Sequence, residues 1–126
     1  MKKIIIAIIS LFFLFSCSGN TNLDMKDVIN PDADYVYFFG KTCSHCIKVA
    51  EYFNANDIMN KYKIEKREVW ENEDNAKIFN EKIEDLGINP EEVGVPFVVR
   101  KNDNKYYMGD VDIIKLFEAN VPLITN

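Results

Sequence analysis

The chain has 126 residues, with 15 Lys and Arg against 20 Asp and Glu, for a net charge of −5. That length holds one small domain and no more. The acidic balance, without any basic stripe, argues against nucleic acid as a partner.

Met1-Lys2-Lys3 is a short positive region, and Ile4 to Phe15 is an apolar run of twelve residues. A run of that length is too short to span a bilayer as a mature helix. It fits the hydrophobic part of a secretory signal over residues 1–16. The run ends at Leu14-Phe15-Ser16-Cys17, where an aliphatic residue, then a small one, precede a cysteine. This pattern resembles the bacterial lipoprotein signal, although Phe15 is bulkier than the usual occupant. The resemblance implies that Cys17 is the lipidated first residue of the mature chain. The domain would then stand outside the cytoplasm, anchored to a membrane on the periplasmic side or at the cell surface. An ordinary signal peptide with an incidental Cys17 is the alternative. Acyl chains anchor firmly, because each buried methylene contributes about 0.8 kcal/mol. Without Lys2 and Lys3 the balance is 13 basic against 20 acidic residues, or −7. Such a surface keeps a tethered domain soluble and off an anionic membrane.

Residues 17–33 read as the lipidated N-terminus and a tether, and residues 34–126 as the domain. Ser18 to Asn22 is polar linker, Leu23 to Ile29 fits a short helix or an edge strand, and Pro31-Asp32-Ala33-Asp34 is a turn signal. Tyr35 to Phe39 is rich in aromatic and branched residues and predicts a buried central strand. After the loop Gly40-Lys41-Thr42, apolar residues at Cys46, Val49, Ala50 and Phe53 predict a helix from Cys43 to about Ala55 or Ile58. Tyr62 to Trp70 reads as a second strand, with Trp70 at its end as core or groove packing. Asn72 to Leu86 is an amphipathic helix with Ala76, Phe79, Ile83 and Leu86 inward, stopped by Gly87. Pro90 marks a further helical turn. Phe97 to Arg100 and Tyr106 to Met108 flank an Asn102-Asp103-Asn104 turn and predict a hairpin. Val111 to Asn120 is a final helix with Ile113, Ile114 and Phe117 inward. The order is βαβαββα: an α/β fold with a central mixed sheet of about four strands and flanking helices. Its first two strands are expected to be parallel, joined by a right-handed crossover.

The chemistry concentrates in Cys43-Ser44-His45-Cys46, directly after the first strand. A cysteine is a nucleophile only as thiolate. The first turn of a helix offers unpaired N–H groups and the positive end of the helix dipole, which favour that thiolate at Cys43. Cys46, one turn on, is expected to lie deeper. Cys43 is therefore expected to attack and Cys46 to resolve the mixed disulfide. A zinc site needs about four ligands, and here Cys43, Cys46 and His45 have no second histidine or free cysteine to join them once Cys17 is acylated. A c-type haem attachment needs a histidine after the second cysteine, where this chain has Ile47. With Cys17 acylated, Cys43 and Cys46 are the two thiols left, alone in an oxidising or mixed compartment.

The strand-to-helix placement of Cys43-Ser44-His45-Cys46, together with Val95-Pro96 directly before a later strand, resembles the thioredoxin superfamily. Lys115 to Asn120 is similar to that family's closing helix, and the resemblance runs from about Asp34 to Val121. It implies a thioredoxin-like fold, a cis Pro96 facing the dithiol, and a substrate groove shaped by Thr42, Val95 and Pro96, with the Val95 backbone pairing to an extended substrate. Thioredoxin itself carries Trp-Cys-Gly-Pro-Cys where this chain has Thr42-Cys43-Ser44-His45-Cys46. It also has a buried Asp where this chain has Tyr37. A histidine before the second cysteine is similar to the disulfide-donating members. His45 near Cys43 can stabilise the thiolate by charge or by hydrogen bonding, and stabilising the reduced form makes the disulfide a stronger oxidant. The donors' large helical insertion has no room here. An exposed His45 with no tuning role is the alternative. Gly109-Asp110 admits two readings, a glutaredoxin-like glutathione contact or an ordinary helix cap.

The expected function is a membrane-anchored thiol-disulfide oxidoreductase. It needs no bound cofactor and no metal, because the dithiol is its own two-electron carrier. Its expected partners are proteins bearing thiols or disulfides, a redox partner that resets the dithiol, and a membrane held through the lipid on Cys17. A monomer is expected. The alternative is a non-enzymatic binding module of the same fold, a copper-delivery chaperone or a holdase.

Overall fold

A computed structural model describes residues 23–119. The expected signal, Cys17 and Asn120 lie outside the described residues. No helix among the described residues is long and apolar enough to cross a membrane.

The sheet is built around β1 (Tyr35–Phe39), which pairs in parallel with β2 (Ile64–Glu68) and antiparallel with β3 (Phe97–Arg100). β4 (Tyr106–Met108) closes the order β2-β1-β3-β4 as an antiparallel edge. Helices α1 (Ser44–Ala55), α3 (Glu73–Asp85) and α4 (Asp110–Ala119) cover the sheet, with a short α2 (Ile58–Lys61) after α1. The molecule is thus α/β, with a four-stranded mixed sheet and flanking helices.

Alternation along β1 sends side chains to two cores. Tyr35, Tyr37 and Phe39 pack with Val49, Phe53, Ile113 and Phe117 of α1 and α4. Phe38 packs with Ile83, Phe97 and Val99, against the α3 side. Aromatic rings fill the first core edge to face, as where Phe53 meets Phe117 at 5.2 Å and 87°. A strand so enclosed is rich in bulky apolar residues on both faces, as the sequence of β1 is.

Several element limits differ from the sequence expectations. The first helix ends at Ala55 because the Asn56 side chain donates to Tyr52 O (2.9 Å) and Asp57 turns left-handed at φ 54. Residues Ile58–Lys61 then form the separate α2. β2 stops at Glu68, so Trp70 lies past the strand rather than at its end, and it is 57% exposed rather than core. In α3 the fully inward residues are Asn75 and Ile83, while Ala76, Phe79 and Leu86 are half-buried. Gly87, at φ 68, reverses the chain there, and its N–H donates to Glu84 O (2.9 Å). Pro90–Glu92 is a single 3-10 turn. In α4, Leu116 is buried beside Ile113 and Phe117, and Ile114 is half-buried.

β2 has the sequence Ile64-Glu65-Lys66-Arg67-Glu68, and Glu65, Lys66 and Glu68 are all buried. Each charge finds a partner. Glu65 pairs with Arg67, whose Nη1 donates to Asn75 Oδ1 (2.9 Å). Lys66 Nζ donates to Asp24 O and sits 5.5 Å from the Phe39 ring centre. Burial pulls the Lys66 ammonium down from its ordinary value, against the nearby Asp24 and Asp27 charges. The segment from Leu23 supplies Asp24 and Asp27 and pairs once with the open edge of β2, Val28 N–H to Lys66 O (3.0 Å) and Lys66 N–H to Val28 O (2.9 Å). That bridge is the edge-strand reading of Leu23 to Ile29 in its shortest form.

Tyr37 is an exception to this satisfaction. Its side chain is 1% exposed and its hydroxyl has no hydrogen-bond partner among the described residues. Burial pushes the phenol far above its ordinary value, so it stays neutral. A buried hydroxyl without a partner costs about 1–3 kcal/mol. Tyr37→Phe is therefore expected to leave the oxidised protein equally stable or more stable, by up to about 1 kcal/mol, in urea unfolding followed by circular dichroism. A clear loss of stability would mean that the hydroxyl makes a bond that matters.

Candidate functional site

β1 delivers the chain into Gly40-Lys41-Thr42, and the turn closes with Cys43 N–H donating to Gly40 O (3.2 Å). Cys43 is then the N-cap of α1, with extended backbone at φ −74 and ψ 119. Its sulfur takes the place of the usual capping oxygen and accepts from Cys46 N–H (3.2 Å). Cys43 and Cys46 form a disulfide, with Cα atoms 5.1 Å apart. Cys46 is fully buried, while Cys43 is 6% exposed. Cys46 Sγ also accepts from Gly40 N–H (3.4 Å). Both sulfurs thus face backbone donors, and the outer one caps the helix.

The Val95–Pro96 peptide is cis. Val95 O lies 3.8 Å from Cys43 Sγ, so the two sequence signatures meet in space. Pro96 is buried, Val95 half-buried and Thr42 exposed beside them. Thr42, Cys43 and Val95 therefore share one end of the sheet.

His45 projects outward, its side chain 62% exposed, and its Nδ1 lies 2.9 Å from Asp110 Oδ1. Lys48 Nζ approaches the other carboxylate oxygen at 3.7 Å. Burial works to raise the Asp110 carboxyl, but the His45 hydrogen bond and the His45 and Lys48 charges outweigh it and hold the carboxyl below its ordinary value. Asp110 is the first residue of α4. Its carboxylate links the dithiol helix to α4. Sequence spacing carries no signal for this pairing, since positions 45 and 110 meet only through the fold.

Glu68 is a second residue that sequence patterning misses. Its buried carboxylate accepts from four backbone N–H groups: Lys41 (3.2 Å), Trp70 (2.9 Å), Glu71 (2.8 Å) and Asn72 (3.1 Å). One side chain thereby fixes both the loop entering the dithiol and the loop leaving β2. Trp70, held by that loop, lays its indole on Gly40. A Cβ at Gly40 would stand 2.3 Å from Trp70 Cδ2, so only glycine lets the ring come this close. No cluster of three or more His, Cys, Asp or Glu side chains suited to a metal ion occurs among the described residues.

Compared with family models, curated proteins and solved structures, the chain matches none.

Burial works to raise the Glu68 carboxyl, but its four backbone donors overcome that and hold it below the ordinary value. A carboxyl lowered in the folded state adds stability that is complete above the ordinary Glu value, about 4.3. That stability drains away as pH falls below this value through the folded one. Glu68→Gln is expected to lower the thermal midpoint at pH 7 and to flatten its decline in acid. A variant whose midpoint falls with acid as steeply as the wild type's would show that Glu68 is not the responsible carboxylate.

Proposed function

We propose that the protein is a thioredoxin-like thiol-disulfide oxidoreductase, tethered to a membrane through Cys17 and working on protein thiols and disulfides outside the cytoplasm. The observation that carries this reading is the placement of Cys43. Its sulfur stands at the N-terminus of α1, next to Val95 O, and is bonded to a fully buried Cys46. The strand order, with β1 between a parallel and an antiparallel neighbour and helices covering the sheet, is compatible with a thioredoxin-like fold.

The chemistry balances with no cofactor. In the reducing direction the Cys43 thiolate attacks one sulfur of a substrate disulfide. A Cys43–substrate disulfide forms, and the other substrate sulfur leaves as thiolate. The Cys46 thiolate then attacks Cys43 Sγ, closing the Cys43–Cys46 bond and expelling the second substrate thiolate. Two electrons have passed to the substrate. The oxidising direction is the same path reversed, beginning with a substrate thiolate at Cys43, the less deeply buried of the two residues. The helix N-terminus and the N–H of Cys46 favour negative charge on Cys43 in either direction. His45, held at Nδ1 by Asp110, tunes the couple from the same helical turn. Thr42, Val95 and Pro96 border the groove in which a substrate strand lies.

Cys46→Ala removes the resolving thiol and leaves the attacking one. Expressed in cells, this variant is expected to accumulate mixed disulfides with envelope proteins, visible as reductant-sensitive bands and absent when Cys43 is also replaced. If nothing is trapped, and the wild type instead binds Cu(I) tightly at one ion per chain, the oxidoreductase reading is wrong.

A further inference from the structure

Trp70 is the single tryptophan of the chain, and 57% of it faces solvent. Scattered exposed apolar residues are ordinary on a protein surface. Two facts set this one apart. First, it is held in place. Its N–H donates to Glu68 Oε1 (2.9 Å), its neighbour Val69 donates to Phe39 O (2.9 Å), and its ring rests on Gly40. Second, the glycine it covers is hydrogen-bonded to both cysteines. The indole touches Gly40, Gly40 N–H donates to Cys46 Sγ (3.4 Å), and Gly40 O accepts from Cys43 N–H (3.2 Å). The indole thus reaches the dithiol through one residue, Gly40.

We propose that Trp70 is a specificity-determining platform, which receives an apolar or aromatic side chain flanking the cysteine of the polypeptide that exchanges with Cys43. The proposal rests on the oxidoreductase reading and deepens it. A substrate sulfur must reach Cys43, whose Sγ has Val95 O at 3.8 Å. An extended chain advances about 3.3 Å per residue, so a residue close to the substrate cysteine spans the Gly40 loop and lies over the indole. The exposed ring offers that residue a large apolar surface already fixed in position, so little conformational freedom is lost on contact. The carboxylate of Glu68 serves platform and dithiol loop together, since it also accepts from Lys41 N–H (3.2 Å). Opposite charges rim the ring's two supporting loops, where Lys41 Nζ meets Glu71 Oε2 at 3.4 Å.

The test measures the rate at which purified, reduced protein reacts with three disulfides. Two are synthetic peptides with one disulfide each, the cysteines flanked by Phe in one and by Ser in the other. The third is hydroxyethyl disulfide, too small to reach the ring. The wild type is expected to prefer the Phe peptide by about tenfold, the scale of one aromatic contact. Trp70→Ala should abolish that preference, Trp70→Phe should keep most of it, and all three proteins should react equally with hydroxyethyl disulfide. A Phe preference that survives Trp70→Ala overturns the proposal. So does an equal slowing of all three disulfides, which would make Trp70 a support for the dithiol loop. A wild type that reacts with none of the three would overturn the oxidoreductase reading, and the platform with it.

Discussion

The sulfur of Cys43 caps a helix, and the organisation around it follows from that. It accepts the N–H of Cys46 (3.2 Å), it closes the disulfide to the same residue, and it lies 3.8 Å from Val95 O. A capping atom with a partial or full negative charge is stabilised by unpaired N–H groups and by the helix dipole. Reduction and oxidation therefore change the very atom that holds the first turn of α1. The buried face of that helix, through Cys46, Val49, Ala50 and Phe53, seats the turn on the sheet.

Much of this was legible in the sequence, for physical reasons that differ from element to element. β1 announces itself because both its faces are enclosed, and only bulky apolar residues fill such a place. α3 shows a helical period because it buries one face and wets the other. Cys43 and Cys46 are legible because their spacing and their position after a strand are local. β2 was harder to read. Three of its four consecutive charged residues are buried; Lys66 reaches the Asp24 carbonyl, Glu68 takes loop backbone, and Arg67, the partner of Glu65, reaches Asn75. No window of sequence reveals such compensation. The same holds for Asp110, which reaches His45 across 65 positions, and for Trp70, which touches Gly40 only because Glu68 gathers two loops.

The buried polar groups divide into two kinds. Glu68 is satisfied four times over and serves as a fastener. Tyr37, on the central strand, has a hydroxyl with no partner among the described residues, in a core of aromatic rings. The resemblance drawn from the sequence puts a proton-moving carboxylate at this strand position in thioredoxin. A phenol driven upward by burial does not exchange a proton at working pH. Beside the start of α1, His45 and Lys48 instead meet the two carboxylate oxygens of Asp110.

The central claim is that Cys43 and Cys46 form a working redox couple rather than a structural staple. The most direct measurement is the reduction potential of that couple, by equilibration of the purified protein with thiol-disulfide buffers of known potential. The account expects a value between about −270 mV, as for a reductant such as thioredoxin, and about −120 mV, as for a strong disulfide donor. A potential below about −300 mV, the range of stable structural disulfides, would contradict it.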